Sequence, residues 1–155
     1  MGLGTLYLAL GERLGWKLVA VMVPGHFYVR LYERGSWHNL ELLHGGAEES
    51  DSWYARRFPV PGGWAREYGR ALTNHEVAAV IEYDVGNERK RQHRWLEAQR
   101  AFDAARRRFP DFAEAHASYA ILAQLRGAGH RATEAYQAAH RANPDLPGLS
   151  RVPLP

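Results

Sequence analysis

The chain has 155 residues, 46% hydrophobic, with 18 Arg and 2 Lys against 17 acidic residues and a formal net charge of +3; this excludes a disordered tail and a surface dominated by one sign. No run approaches the ~18 apolar residues of a membrane-spanning helix, and the apolar stretch Leu3 to Leu10 lacks a basic leader and a cleavage site, so a cytoplasmic protein with no membrane contact is expected. With no cysteine in the chain, disulfides, thiolate metal sites and thiol nucleophiles are excluded from these residues.

In chain order, Leu3, Leu6, Tyr7, Leu10 and Leu14 recur at helical spacing up to Gly15, a plausible stop, and predict a helix. Leu18 to Val23 is a β-branched run closed by Pro24-Gly25, His26 to Tyr32 alternates, and Gly35-Ser36 turns the chain into a strand from Trp37 to Leu43. Together these predict a small antiparallel sheet. Gly45 to Arg70 reads as loop, with Gly45-Gly46 and Pro59-Val60-Pro61-Gly62-Gly63 as its clearest signals. Trp53, Tyr54, Phe58 and Trp64 are expected to anchor that loop, and a short helix fits Ser52 to Arg57. After Thr73-Asn74, with Asn74 a fair N-cap, the chain to about Asn143 reads as helix rich in Ala and Arg.

The helical half repeats itself. Ala98 and Ala132, Phe102 and Tyr136, Ala105 and Ala139, and Pro110 and Pro144 each stand 34 residues apart, the tetratricopeptide period. Small Ala residues let two antiparallel helices approach, an aromatic fills the gap, and Pro ends the second helix. Tyr119, Ala120 and Ala123, with Gly127 as the turn, resemble the family's packing residues in the second unit. The first unit keeps Gly86 at the small position but carries His93 where the turn glycine would be, and is the more divergent copy.

Leu6 to Gly15, Val23-Pro24-Gly25-His26-Phe27, Asn39-Leu40-Glu41 and Gly45-Gly46 resemble the transglutaminase-like proteins of the SirB1 type, a branch of the cysteine-protease fold. Members of that group often carry tetratricopeptide repeats behind the domain, the order found here. The fold this implies is α+β. A partial transglutaminase-like core, helix plus small antiparallel sheet, is expected over residues 1–72, two tetratricopeptide-like hairpins over 73–147 and a tail over 148–155. In the family a Cys at the start of the helix is the nucleophile, a strand His its base, and an acidic residue on the next strand orients the His. The resemblance assigns the base to His26 and the orienting position to Glu41.

Strand geometry bears on that assignment. A turn near Arg34 opposes Tyr32 to Trp37 and Tyr28 to Glu41, which puts His26, Tyr28, Asn39 and Glu41 on one face. His26 and Glu41 then lie on a diagonal, roughly 7–8 Å apart at the backbone and within reach of long side chains. Asn39 shares the face and is the alternative orienter. Without the family pattern, a His after Pro-Gly at a strand start reads as a partly exposed structural residue.

The nucleophile is missing. The resemblance puts the Cys just ahead of Met1, where a helix N-terminus lowers a thiol's pKa. Two expectations stay open: a chain begun late, with the Cys upstream, or a natural protein that has lost its nucleophile. Thr5 is a conceivable substitute, but it lies a turn inside the helix and reads as a helix-surface residue. Catalysis by the family route therefore cannot proceed with these residues alone, while binding can.

The runs Arg89-Lys90-Arg91-Gln92-His93-Arg94 and Arg106-Arg107-Arg108 read as solvated helix faces rather than a nucleic-acid surface. His75-Glu76 lacks the second His of a zinc-protease motif, the other histidines have no ligand spacing, and no phosphate-cradling glycine motif occurs, so no metal and no cofactor is expected. The expected partner is a protein or peptide held by the hairpins, with self-association as a further expectation, because two repeats make a short groove without a recognisable clamp. The competing function is a thiol acyl-transfer or peptidase-like enzyme whose Cys lies outside these residues.

Overall fold

The computed structural model describes residues 2–59, 67–146 and 149. Met1, the expected loop at Val60 to Gly63, the anchor Trp64 and the rest of the expected tail lie outside them. The described residues form a mixed α+β protein with six α-helices and a five-stranded antiparallel sheet. The chain divides into two compact units, residues 1–73 and 74–155.

In the first unit, α1 (Gly2–Leu14) leads through Gly15, held at φ 70°, into β1 (Lys17–Val23), β2 (His26–Glu33) and β3 (Ser36–Glu41). Pro24-Gly25 and Arg34-Gly35 make the two tight turns; Gly25, Arg34 and Gly35 all take positive φ, the conformation such two-residue hairpins require. The β2–β3 register pairs Tyr32 with Trp37 and Val29 with Leu40, the register that alternation demands. The sheet order is β4-β3-β2-β1-β5, with β4 (Ala47–Glu48) and β5 (Ala71–Leu72) as short edge strands.

Two expectations are corrected, and a third feature was not anticipated. The third strand stops at Glu41 rather than Leu43, because the Glu41 side chain accepts from Leu43 N–H and starts a 3-10 turn over Leu42–His44. The stretch read as loop from Gly45 to Arg70 also contains β4, while the short helix fitted to Ser52 to Arg57 forms as α2 (Asp51–Arg57), whose N-cap Ser50 accepts from Trp53 N–H. The third concerns α1. Its leucine stripe does not face the sheet: Leu3, Leu6, Leu10 and Leu14 are exposed, and the buried residues are Gly4 and Gly11. A Cβ on Gly4 would lie 2.4 Å from the Phe27 ring and one on Gly11 2.2 Å from Leu18. The helix therefore lies on the Leu18, Phe27 face through a glycine seam that admits no side chain. Because Gly4 meets the start of β2 and Gly11 meets Leu18, which pairs with Leu31 near the end of β2, the N-terminal end of α1 sits at the His26 end of the strand.

The second unit is four helices: α3 (Asn74–Arg91), α4 (Trp95–Arg108), α5 (Ala113–Leu125) and α6 (Gly129–Ala142). Short connections make successive helices antiparallel neighbours, and α3 packs on α4, α4 on α5, and α5 on α6. Asn74, read as an N-cap, lies inside α3. His93 takes φ 59° and Gly127 φ 73° at the two hairpin turns, so His93 adopts the left-handed geometry that glycine supplies in the other copy. The repeated positions are buried at matching places: Ala98, Phe102 and Ala105 on α4, Ala132, Tyr136 and Ala139 on α6. Gly86 lets the Phe102 ring onto α3, where a Cβ would lie 2.5 Å from the ring.

Candidate active site

The face of the sheet opposite α1 carries His26, Tyr28 and Arg30 from β2 and Asn39 and Glu41 from β3, as the antiparallel register dictates. α2 closes over it. Tyr54 stacks on Tyr28 with ring centres 3.8 Å apart, and Phe58 stacks on the His26 imidazole at 4.7 Å with ring planes 2° from parallel. Val21 and Val23 of β1, Tyr28 and Tyr54 form the apolar floor.

Within that floor, His26 Nε2 lies 2.7 Å from Glu41 Oε2. Glu41 is 2% exposed and the His26 side chain 12%. The same oxygen accepts from the Tyr54 hydroxyl at 3.2 Å, while Oε1 accepts from Leu43 N–H at 3.0 Å. Burial pushes the Glu41 carboxyl up, but the Leu43 N–H, His26 and Tyr54 together outweigh it and hold the group below its ordinary range. Burial first, then the Glu41 charge, pushes the Tyr54 phenol far above its ordinary value, so Tyr54 remains a donor. An ionised carboxylate only accepts, which places the proton of neutral His26 on Nε2 and leaves Nδ1 as the basic nitrogen. Among the described residues, none donates to Nδ1 in the hydrogen bonds of this face.

Asn39 has other partners. Its Oδ1 accepts from Arg30 Nε at 2.6 Å and its Nδ2 donates to Glu49 O at 3.0 Å and Asp51 Oδ1 at 2.8 Å. Arg30 also donates to Asp51 Oδ1 at 2.6 Å and to the Tyr28 hydroxyl at 3.1 Å. Asn39 and Arg30 thus clasp the sheet to the start of α2, and Glu41, not Asn39, meets the imidazole. Burial pushes the Tyr28 phenol up to about 12 despite the Arg30 charge. The helix carrying Thr5 packs on the opposite face of the sheet.

Compared with known proteins, the chain matches no protein-family model and no curated sequence. The site therefore stands on its own geometry. A second imidazole–carboxylate contact sharpens the comparison: His38 Nδ1 meets Glu48 Oε1 at 2.8 Å, but Glu48 is 62% exposed and water screens such a pair. Of the imidazole–carboxylate contacts among the described residues, His26–Glu41 is the one that is desolvated and braced by further donors. Tyr54 and Phe58 were expected as anchors, but their place against His26 and Glu41 was not, because no spacing in their segment ties them to the sheet.

Other chemistry is sparse. Among the described residues no group of three or more His, Asp or Glu side chains is placed to hold a metal, and no helix is long and apolar enough to cross a membrane. The basic runs pair with neighbouring carboxylates: Arg91 with Glu88 on α3, Arg94 and Arg89 with Glu97 of α4, Arg106 with Asp103 on α4.

Proposed function

We propose that the first unit is a transglutaminase-like domain carrying the base and orienter of a thiol acyl-transfer site, and that the second is a pair of tetratricopeptide-like hairpins that hold a protein or peptide partner. The observation that carries the first half is the buried 2.7 Å contact between His26 Nε2 and Glu41 Oε2. A base needs a fixed tautomer and a nitrogen open to its proton donor. Glu41 supplies the first and His26 Nδ1 the second. The direction of α1 is compatible with this, since its N-terminal end lies at the His26 end of β2, on the other face of the sheet, and a helix dipole favours a thiolate at that end. Without cysteine in its 155 residues the chain binds an acyl substrate but does not turn it over; turnover needs a thiol from another segment or chain. The second half rests on the burial of equivalent residues at a 34-residue spacing in α4 and α6.

The test supplies the missing thiol. A variant with one cysteine placed directly ahead of Met1 is expected to react with iodoacetamide at neutral pH at least ~10-fold faster than the same variant carrying His26→Ala, because an adjacent base raises the thiolate fraction. Equal rates in the two proteins would remove His26 from the role of base.

A further inference from the structure

The helical unit leaves a cleft of about 360 Å³ between α4, α5 and α6, walled by Arg106, His116, Tyr119, Arg131 and Glu134, a volume suited to a small ligand or one side chain. Its floor is held in place: Gln99 Nε2 donates to the Tyr119 hydroxyl at 3.2 Å, and Arg126 donates to Gln99 Oε1. The Arg106 guanidinium lies over the Tyr119 ring, 4.0 Å from its centre, and donates through Nη2 to Asp103 at 3.0 Å. Its Nε is buried with no hydrogen-bond partner. On the facing helix, His116 Nε2 donates to Pro110 O at 2.8 Å, so the neutral ring carries its proton there, and Nδ1 is a second buried nitrogen with no partner. Buried polar atoms are nearly always paired. Two residues of the cleft wall thus carry, just beneath its surface, polar nitrogens without a partner among the described residues.

We infer that this cleft binds a carboxylate, seated between the Arg106 and Arg131 guanidiniums and drawing a proton onto His116 Nδ1. The lining holds two arginines against one carboxylate, Glu134, which lies 3.7 Å from His130. Arg131 is exposed on α6, and planar guanidinium forks match carboxylate oxygens. Because both nitrogens lie beneath the lining, the occupant reaches them once Arg106 changes rotamer. Its tether to Asp103 is an i,i+3 pair on the helix surface, a weak restraint.

The surroundings of His116 favour its neutral form. Burial pushes its pKa down, the Pro110 carbonyl opposes this, Arg106 on α4 and Arg141 on α6 push it further down, and Asp111 raises it. Asp103 on α4 and Arg131 and Glu134 on α6 complete the charged surroundings. An anion offsets the arginine charges, so the ring protonates as the ligand enters, and Nδ1–H becomes a donor to it. Every residue belongs to the helical unit, so the inference is independent of the His26–Glu41 reading.

The test is an NMR titration of the ¹⁵N-labelled full chain with succinate, with the capped peptide acetyl-Gly-Asp-Gly-amide, and with neutral succinamide. Both carboxylates are expected to shift the Arg106 Nε–H and His116 ring signals, with Kd falling by up to ~10-fold per pH unit as pH drops toward the range where free His116 titrates. Tighter binding of the peptide identifies a protein carboxylate as the natural source; tighter binding of succinate identifies a free small acid. Arg131→Gln, at an exposed position, is expected to weaken binding ~10-fold while the fold persists. No saturable shift from either carboxylate, equal binding of succinamide, a pH-independent Kd or full affinity in Arg131→Gln would each overturn the proposal.

Discussion

Replacing Glu41 with leucine is expected to destabilise the first unit by about 2–4 kcal/mol, since it strands two buried donors at roughly 1–3 kcal/mol each and regains part of that through apolar burial. The stranded groups are the Tyr54 hydroxyl, in a residue with 0% exposure, and His26 Nε2–H. Leu43 N–H also loses its cap. Glu41→Gln is expected to cost less, because a carbonyl in the place of Oε2 still accepts two of the three hydrogen bonds. Urea unfolding of both variants measures the difference, and a cost below about 1 kcal/mol for the leucine would mean that the carboxylate is not the hub of the site.

The same residue sets an acid limit. Its folded pKa lies below the unfolded value of 4.5, so the unfolded state binds more protons in that range. The resulting stability is fully present above pH 4.5 and is lost as pH falls through the folded pKa. Glu41→Gln cannot titrate and is expected to show a flatter acid limb in the same unfolding series.

In the helical unit the largest expected loss follows Phe102→Ala, about 3–5 kcal/mol for a fully buried aromatic. Phe102 has 0% exposure and fills the space that Gly86 leaves on α3. Gly86→Ala approaches the same contact from the other side. Helix propensity favours the alanine by ~1 kcal/mol, but its Cβ falls 2.5 Å from the ring, and overpacking of about 1–3 kcal/mol wins. Pairing Gly86→Ala with Phe102→Leu is expected to cost less than the two single changes added together, because the smaller side chain vacates the clash. Strict additivity by thermal unfolding would show that the two residues do not share one packing site.

The β2–β3 register was legible because one tight turn at Arg34-Gly35 and a period-2 pattern leave a single pairing that keeps Phe27, Val29 and Leu31 together on one face. Face-sharing among His26, Asn39 and Glu41 followed from the same arithmetic. Which of Asn39 and Glu41 meets the imidazole did not, because Arg30 and Asp51 decide it, and Asp51 comes from a segment without periodicity. The repeat in α4 and α6 was legible because small and aromatic residues at one fixed spacing carry their packing role openly. Helix α1 was legible as a helix but its packing face was not: leucine spacing reports which residues are apolar, whereas close approach to the sheet is set by Gly4 and Gly11, whose contribution is the absence of a side chain. The edge strands at Ala47–Glu48 and Ala71–Leu72 are two residues each, too short for any pattern to register.

The central claim is that Glu41 holds the His26 imidazole with its proton on Nε2 and its lone pair on Nδ1. Nitrogen-15 NMR of the histidine rings in the full chain, recorded with the rings neutral, tests it most directly. The account predicts an Nε2–H tautomer whose ring proton is protected from solvent exchange, with that protection lost in Glu41→Leu. An Nδ1–H tautomer, or an Nε2 proton that exchanges as fast as that of an exposed histidine, would contradict it.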